Sequence, residues 1–125
     1  MTELIYNKSL REISQEIYNI LDPILNKEDL EKVLTKLIGY RFVDEIYKIQ
    51  RGKFIRWISN SATKPHLTNG GIVIDIKFLD SGTHILCKNN IGKIIQIKFD
   101  GAIIFQKLSN DENLILFAND FIQSK

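Results

Sequence analysis

The spacing of apolar residues changes once along this 125-residue chain, at about Phe42, and that change constrains the fold more than any other feature. Before it, apolar side chains recur every three or four residues, which is the period of an amphipathic helix. After it, apolar and polar residues alternate in short runs, which is the period of half-buried β-strands. The sequence therefore predicts an α+β protein whose helical part, residues 1–40, precedes an antiparallel sheet, residues 41–108.

Two helices forming a hairpin are predicted before the sheet, and one helix after it. The first begins after Ser9, an N-cap residue, and ends near Pro23. The second begins after Asn26 and stops at Gly39. The sequence SNDE opens a third helix over residues 109–125, because Ser followed three residues later by Glu forms a capping box.

The extended runs predict a strongly bent, five-stranded antiparallel meander or a small, partly open barrel. Residues 43–50 and 53–59 are aromatic and β-branched and predict a hairpin. Alternation over residues 72–78 predicts that Ile72, Ile74, Ile76 and Phe78 face inward, with Val73, Asp75 and Lys77 outward. The dipeptide Asp100–Gly101 predicts a type I′ turn leading into a final strand over residues 102–108.

Composition favours one domain, residues 1–125, without a membrane segment. The apolar runs fall well short of the roughly 20 residues that a transmembrane helix needs. Cys87 is the sole cysteine and the acidic N-terminal region lacks a secretory signal, so we expect a cytoplasmic location. His84 and Cys87 are the closest approach to metal-ligand spacing, but a zinc site needs four ligands. We therefore expect no metal, no cofactor and no enzymatic activity.

Basic residues concentrate in the predicted sheet. Residues 41–98 hold ten basic side chains against four acidic ones, a net charge of +6, whereas both ends are mildly acidic. The run RGKFIRWI, residues 51–58, interleaves cations with aromatic rings, which nucleic-acid-binding proteins use to contact phosphates and stack on bases. Lysines on consecutive strands should extend this surface. The predicted nucleic-acid site contains Arg51, Lys53, Arg56, Trp57, Lys77, Lys88 and Lys98.

Two other interpretations account for the same residues. The lysines would also suit a solvated sheet face, with Trp57 packed in the core and Arg56 paired with an acid such as Glu45. A protein-interaction module, as a homodimer or other homo-oligomer, would use a helix stripe, a sheet edge, or an outward apolar strip formed by Val73, Leu86 and Ile94. An enzyme acting on a phosphorylated small molecule would need a deep pocket with converging polar groups.

The stretch from Gly52 to Leu116 resembles uncharacterised short proteins of giant DNA viruses that infect amoebae. The similarity lies in FIRWI (54–58), LTNGGIVIDIKF (67–78), ILCKN (85–89) and IIFQKLSNDENLIL (103–116). It covers about half of the chain, and the bias toward Ile, Asn and Lys fits AT-rich genomes of that kind. The resemblance implies a viral protein in the host cytoplasm or the virion, with a role in transcription or genome handling.

Overall fold

A computed structural model describes residues 7–61 and 63–124. Within them lie three α-helices and six β-strands, in the order α1 (Leu10–Leu21), α2 (Lys27–Lys36), β1 (Tyr40–Val43), β2 (Phe54–Ser59), β3 (Gly71–Leu79), β4 (Gly82–Lys88), β5 (Ile94–Lys98), β6 (Ala102–Lys107) and α3 (Asn110–Gln123). The α+β class is confirmed, with one strand more than predicted. None of the helices in this part of the chain is long and apolar enough to cross a membrane.

The chain forms two compact units. The helical unit comprises the described residues up to Phe42 together with those from Leu108 onward, and the sheet unit comprises Val43–Lys107. The interpretation of residues 1–125 as one domain remains a prediction.

Side-chain caps set the starts of all three helices, as the sequence predicts. Ser9 Oγ accepts a hydrogen bond from the Glu12 amide, and Asn26 Oδ1 accepts one from the Asp29 amide. At α3 the capping box is complete, because Ser109 Oγ accepts from the Glu112 amide while the Glu112 carboxylate accepts from the Ser109 amide. These bonds satisfy amide groups that a helix start otherwise leaves without partners.

The sheet has the order β1-β6-β2-β3-β4-β5, so β5 and β6 are consecutive in sequence but not adjacent in the sheet. Only residues 99–101 connect them, a link that spans at most about 14 Å. The sheet must therefore coil until the end of β5 approaches the start of β6. This matches the predicted strong bend and partly open barrel, since no ladder between β5 and β6 closes the sheet.

The predicted type I′ turn at Asp100–Gly101 is wrong. Residues Phe99–Gly101 form a short 3-10 helix, and Gly101 does not adopt the positive φ that this turn requires. The reason is topological: a two-residue turn joins paired strands, whereas β6 pairs with β2 instead of β5.

The predicted strand over residues 43–50 and its hairpin with 53–59 are also wrong. A strand is present only over Tyr40–Val43, and Ile46–Lys48 forms a 3-10 turn. The buried side chain of Gln106 holds the segment that follows. Its Nε2 donates to the Lys48 carbonyl at 3.1 Å, and its Oε1 accepts from the Gln50 amide at 2.9 Å. These two bonds replace the strand ladder that the sequence suggested.

A β-bulge between Val73 and Asp75 changes which side chains of β3 face the core. Val73 is opposite Cys87, but Asp75 is opposite Leu86, so Ile74 is the extra residue. Val73 is therefore buried, whereas Ile72 and Ile74 are 46% and 38% exposed. The predicted inward set is wrong for the first half of the strand. It holds at Ile76, opposite the buried Ile85, while Phe78 at the strand end is 75% exposed.

The core of the sheet unit lies inside the coiled sheet and includes Cys87. Its buried members come from all six strands and the segment before β2: Val43, Ile49, Ile55, Trp57, Val73, Ile85, Cys87, Ile97 and Ile104. Burial raises the pKa of the Cys87 thiol to about 12. Since the thiolate is the reactive form, this thiol is chemically protected while the sheet is folded.

We expect Gly70→Ala to destabilise the protein by about 3 kcal/mol or more. A methyl group there would overlap the Ile55 carbonyl oxygen and press on the Arg56 and Phe54 side chains, and Gly70 also has a φ of +84°. The matched control is Gly52→Ala, where φ is +86° but nothing lies within 4 Å. It should cost only about 1 kcal/mol, for the left-handed backbone alone. Urea unfolding measures both, and equal losses would contradict this close approach.

Cys87 should react with a thiol reagent at least about 100-fold more slowly in the native protein than in guanidinium, because only the unfolded state exposes it. Above about pH 9 the unfolded thiol ionises while the buried thiol does not, so Cys87 should lower the free energy of unfolding as pH rises. Subtracting the stability curve of Cys87→Ala isolates this effect. Native reactivity equal to the unfolded rate would show that the thiol is accessible.

Candidate nucleic-acid interface

Antiparallel pairing brings three strands of the sheet unit together as one polar outer face. On β4, the buried Ile85 and Cys87 alternate with His84, Leu86 and Lys88, which therefore point away from the core. Residues directly opposite one another in an antiparallel ladder share a face. We call this surface the lysine face: its residues are Asp75 and Lys77 of β3, His84, Leu86 and Lys88 of β4, and Ile94, Gln96 and Lys98 of β5.

One cross-strand row on this face is formed by Lys77, His84 and Lys98. His84 is opposite Lys77 on one side and opposite Lys98 on the other. Neighbouring strands lie about 4.8 Å apart, so the two lysine Cα atoms are about 10 Å apart. Lys88 lies four residues from His84, about 13 Å along the strand. The three predicted lysines therefore share one face.

The row has hydrogen-bonding groups at the end nearest the β3–β4 turn. Ser81 Oγ and His84 Nε2 are 3.0 Å apart, which holds the imidazole toward the turn. The Lys98 side chain lies across Gly82. A Cβ added to Gly82 would be 3.1 Å from Lys98 Cε and 3.9 Å from Lys98 Nζ. A hydroxyl, an imidazole and an ammonium group therefore gather at the same end of the sheet.

The three lysines of this face form no ion pair within the described part of the chain. Lys77, Lys88 and Lys98 are all exposed. In the described part of the chain, the ion pairs are Lys8–Glu16, Lys32–Glu28, Lys48–Asp44 and Arg51–Asp75, so none includes a lysine of this face. The positive potential of the face is therefore available to an anion.

Arg51 belongs to the same region but is held by Asp75. Its Nη2 donates to Asp75 Oδ1 at 2.8 Å, and the Ile76 amide donates to the same oxygen at 2.9 Å. The hydrogen bond from Arg51, followed by that from Ile76, lowers the pKa of Asp75. Asp75 therefore stays ionised at neutral pH and offsets one cation of the region.

Trp57, Arg56 and Lys53, the other predicted site residues, are not part of the lysine face. Trp57 is only 7% exposed and packs in the core with Ile55, on the opposite face from the lysines. Its assignment as a base-stacking ring beside them is therefore wrong. Arg56 is half-buried, and its Nε donates to the Thr68 carbonyl at 2.9 Å instead of pairing with Glu45. Lys53 is half-buried and immediately precedes β2.

Two residues that the sequence did not assign to the site belong to this region. His84 completes the row between Lys77 and Lys98, and the half-buried Phe54 extends another row through Ile72, Lys88 and Ile94. Phe54 is thus an aromatic ring in register with a lysine. Only the register of the strands could have identified His84 and Phe54 as neighbours of these lysines. That register depends on the bulge in β3, which the alternation of apolar and polar residues does not reveal.

A cleft of about 490 Å³ opens within the sheet unit where β5 and the end of β2 approach each other. Trp57, Ile95 and Ile97 form its apolar wall, and Ser59, Asn60, Ser61 and Lys98 are among its polar residues. Among the described residues that line the cleft, Lys98 alone is ionisable, whereas acid–base catalysis uses a positioned pair of such groups. Across residues 7–61 and 63–124, no group of three His, Cys, Asp or Glu side chains is positioned to bind a metal ion.

Comparison with known proteins adds no relative. No family model, curated protein or solved structure matches this chain.

Proposed function

We propose that this protein is a small non-enzymatic module that binds single-stranded nucleic acid through phosphate contacts on the lysine face. The observation that carries the proposal is the set of three exposed lysines on one face of consecutive strands, none of which forms an ion pair within the described part of the chain. Phosphate neutralisation by lysine supplies most of the affinity in sequence-independent binding.

The two ends of the face would contribute differently. At the β3–β4 turn, Lys98, His84 and Ser81 offer several hydrogen-bonding groups to one phosphate. At the other end, Lys88 lies in the row that includes Phe54 and Ile72. Phe54 lies two strands from Lys88, about 10 Å away, and a ring at that distance from a cation suits a base stacked near a bound phosphate. A nucleic-acid strand crossing the face would thus meet phosphate contacts at one end and both kinds of contact at the other.

A single strand fits this surface better than a duplex. Readout of double-stranded DNA uses a helix or a narrow two-stranded ribbon inserted into the major groove. The lysine face is instead the broad outer side of three strands of a coiled sheet. Positively charged sheet surfaces with exposed rings bind single strands with little sequence preference.

The resemblance to proteins of giant amoeba-infecting DNA viruses supports a role in viral transcription or genome handling. Under this proposal the protein acts in the host cytoplasm or the virion.

Replacing Lys77 and Lys98 together by Ala should weaken binding of a labelled single-stranded oligonucleotide by about 10-fold at low salt. The slope of log affinity against log salt should also fall by about 1.4, because each lost phosphate contact removes about 0.7. Fluorescence anisotropy over a salt series measures both quantities.

The matched control replaces Lys27 and Lys36 of α2 by Ala, which removes the same charge from exposed positions of the helical unit. This variant should bind like the unmodified protein. Equal weakening by both variants would show that net charge alone attracts the nucleic acid. Flat titrations of the unmodified protein at low salt would contradict the proposal.

Asp75→Asn should strengthen binding by about 3-fold and steepen the salt dependence, because it removes the carboxylate that pairs with Arg51. The same oligonucleotide titration measures this change. The combined variant Arg51→Ala with Asp75→Asn serves as the control and should lose the gain, since the released guanidinium is absent. A gain that persists in the combined variant would show that Arg51 does not contact the ligand.

A further inference from the structure

The C-terminal helix α3 exposes its apolar side. Leu114, Phe117, Phe121 and Ile122 are 67%, 63%, 62% and 67% exposed. At 100° per residue, these four side chains and the exposed Ala118 fall on one side of the helix, as a continuous stripe. We call these five residues the α3 stripe. A helix on the surface of a monomer normally has the opposite arrangement, with polar residues outward.

Contacts on the opposite side fix the orientation of α3 within the helical unit. Leu116 is fully buried, and the Asn119 side-chain amide donates to the Lys8 carbonyl at 2.6 Å. The Arg11 amide donates to Asp120 Oδ1 at 3.2 Å. With the capping box at Ser109 these contacts determine which side of α3 is buried. The exposed side of α3 is therefore the side opposite these contacts.

The chemistry of the stripe identifies the kind of surface that can cover it. None of its five members is charged. The charged residues of α3 are Asp111, Glu112 and Asp120, and the helix contains no lysine or arginine. Helices that lie on membranes carry basic residues beside the apolar face, and nucleic acid requires cations. The stripe is suited instead to an uncharged apolar protein surface.

A second copy of the chain offers such a surface with enough area. At 62–67% exposure, four large side chains leave roughly 500 Å² of apolar surface per copy, or roughly 1,000 Å² for two. This reaches the lower limit for a specific protein–protein interface. Self-association would cover both stripes at once. It would bury no charge, because neither stripe contains a charged residue.

We propose that this protein forms a homodimer in which the α3 stripes of two copies pack against each other in antiparallel orientation. A two-fold axis between positions 117 and 118 places Phe117 of one copy over Ala118 of the other. It also places Leu114 beside Phe121 of the other copy. The Phe117 ring then meets the small Ala118, and Phe121 packs on the aliphatic Leu114, so that large and small side chains alternate along the contact. This proposal is independent of the nucleic-acid function.

Sedimentation velocity of the full chain at about 100 µM tests self-association, since a micromolar dimer would predominate there. The unmodified protein should sediment as a dimer, and Phe117→Glu as a monomer. Phe78→Glu is the matched control, because Phe78 is 75% exposed on the sheet unit; it should stay dimeric. Circular dichroism melts establish that each variant is folded. A monomeric unmodified protein, or a dimer that survives Phe117→Glu, would overturn the proposal.

A mixing experiment tests the register. Phe117→Glu and Ala118→Lys should each be monomeric alone, because each places charges in an apolar interface. Mixed together, they should form a heterodimer, since the glutamate of one copy lies opposite the lysine of the other. A mixture that stays monomeric would exclude this packing of Phe117 against Ala118. Lys77→Ala with Lys98→Ala should remain dimeric, which separates this surface from the lysine face.

Discussion

The β-bulge at Ile74 is the constraint on which the rest of the sheet unit depends. Side chains alternate along a strand, so a regular β3 with Val73 facing the core would turn Lys77 toward the core as well. The extra residue reverses the alternation, and Ile76 faces the core while Asp75 and Lys77 face outward. Asp75 stabilises the chain next to the bulge, because its Oδ1 accepts a hydrogen bond from the Ile76 amide. The row of Lys77, His84 and Lys98 exists because of this one inserted residue.

Coiling of the sheet is the second constraint, and two glycines permit it. β6 pairs with β2 although three residues link it to β5, so the sheet must bend around its core. Gly70 approaches the Ile55 carbonyl, and a Cβ on Gly71 would lie 2.8 Å from the Lys88 carbonyl oxygen. Side chains at these positions would push β3 away from its neighbours. The bent sheet buries Trp57 and leaves its outer side to the lysines.

Sequence reasoning identified the features that depend on local chemistry. The three helix starts followed from Ser9, Asn26 and Ser109, whose caps form within four residues. It was wrong where long-range pairing decides the structure. The alternation of apolar and polar residues could not reveal the bulge in β3. The segment 43–50, predicted as a strand, contains a 3-10 turn, and the chain after that turn is held by Gln106, 56 residues beyond Gln50. Trp57 was misassigned because the cations and the ring beside it in sequence suggested an exposed side chain. In the coiled sheet that side chain points into the core instead.

The two proposed surfaces use different chemistry and lie on different units of the chain. The lysine face of the sheet unit carries exposed cations, whereas the α3 stripe of the helical unit is uncharged. Neither surface requires the other, since phosphate contacts depend on charge and self-association depends on apolar area. Their residues can therefore be changed separately.

Amide chemical-shift mapping would show directly whether nucleic acid binds at the lysine face. In a two-dimensional NMR titration with a short single-stranded oligonucleotide, the largest shifts should occur at Lys77, His84, Lys88 and Lys98. The amides of α2 and α3 should change little. Shifts concentrated on the helices or around the Trp57 cleft, with the lysine face unchanged, would contradict binding at this face.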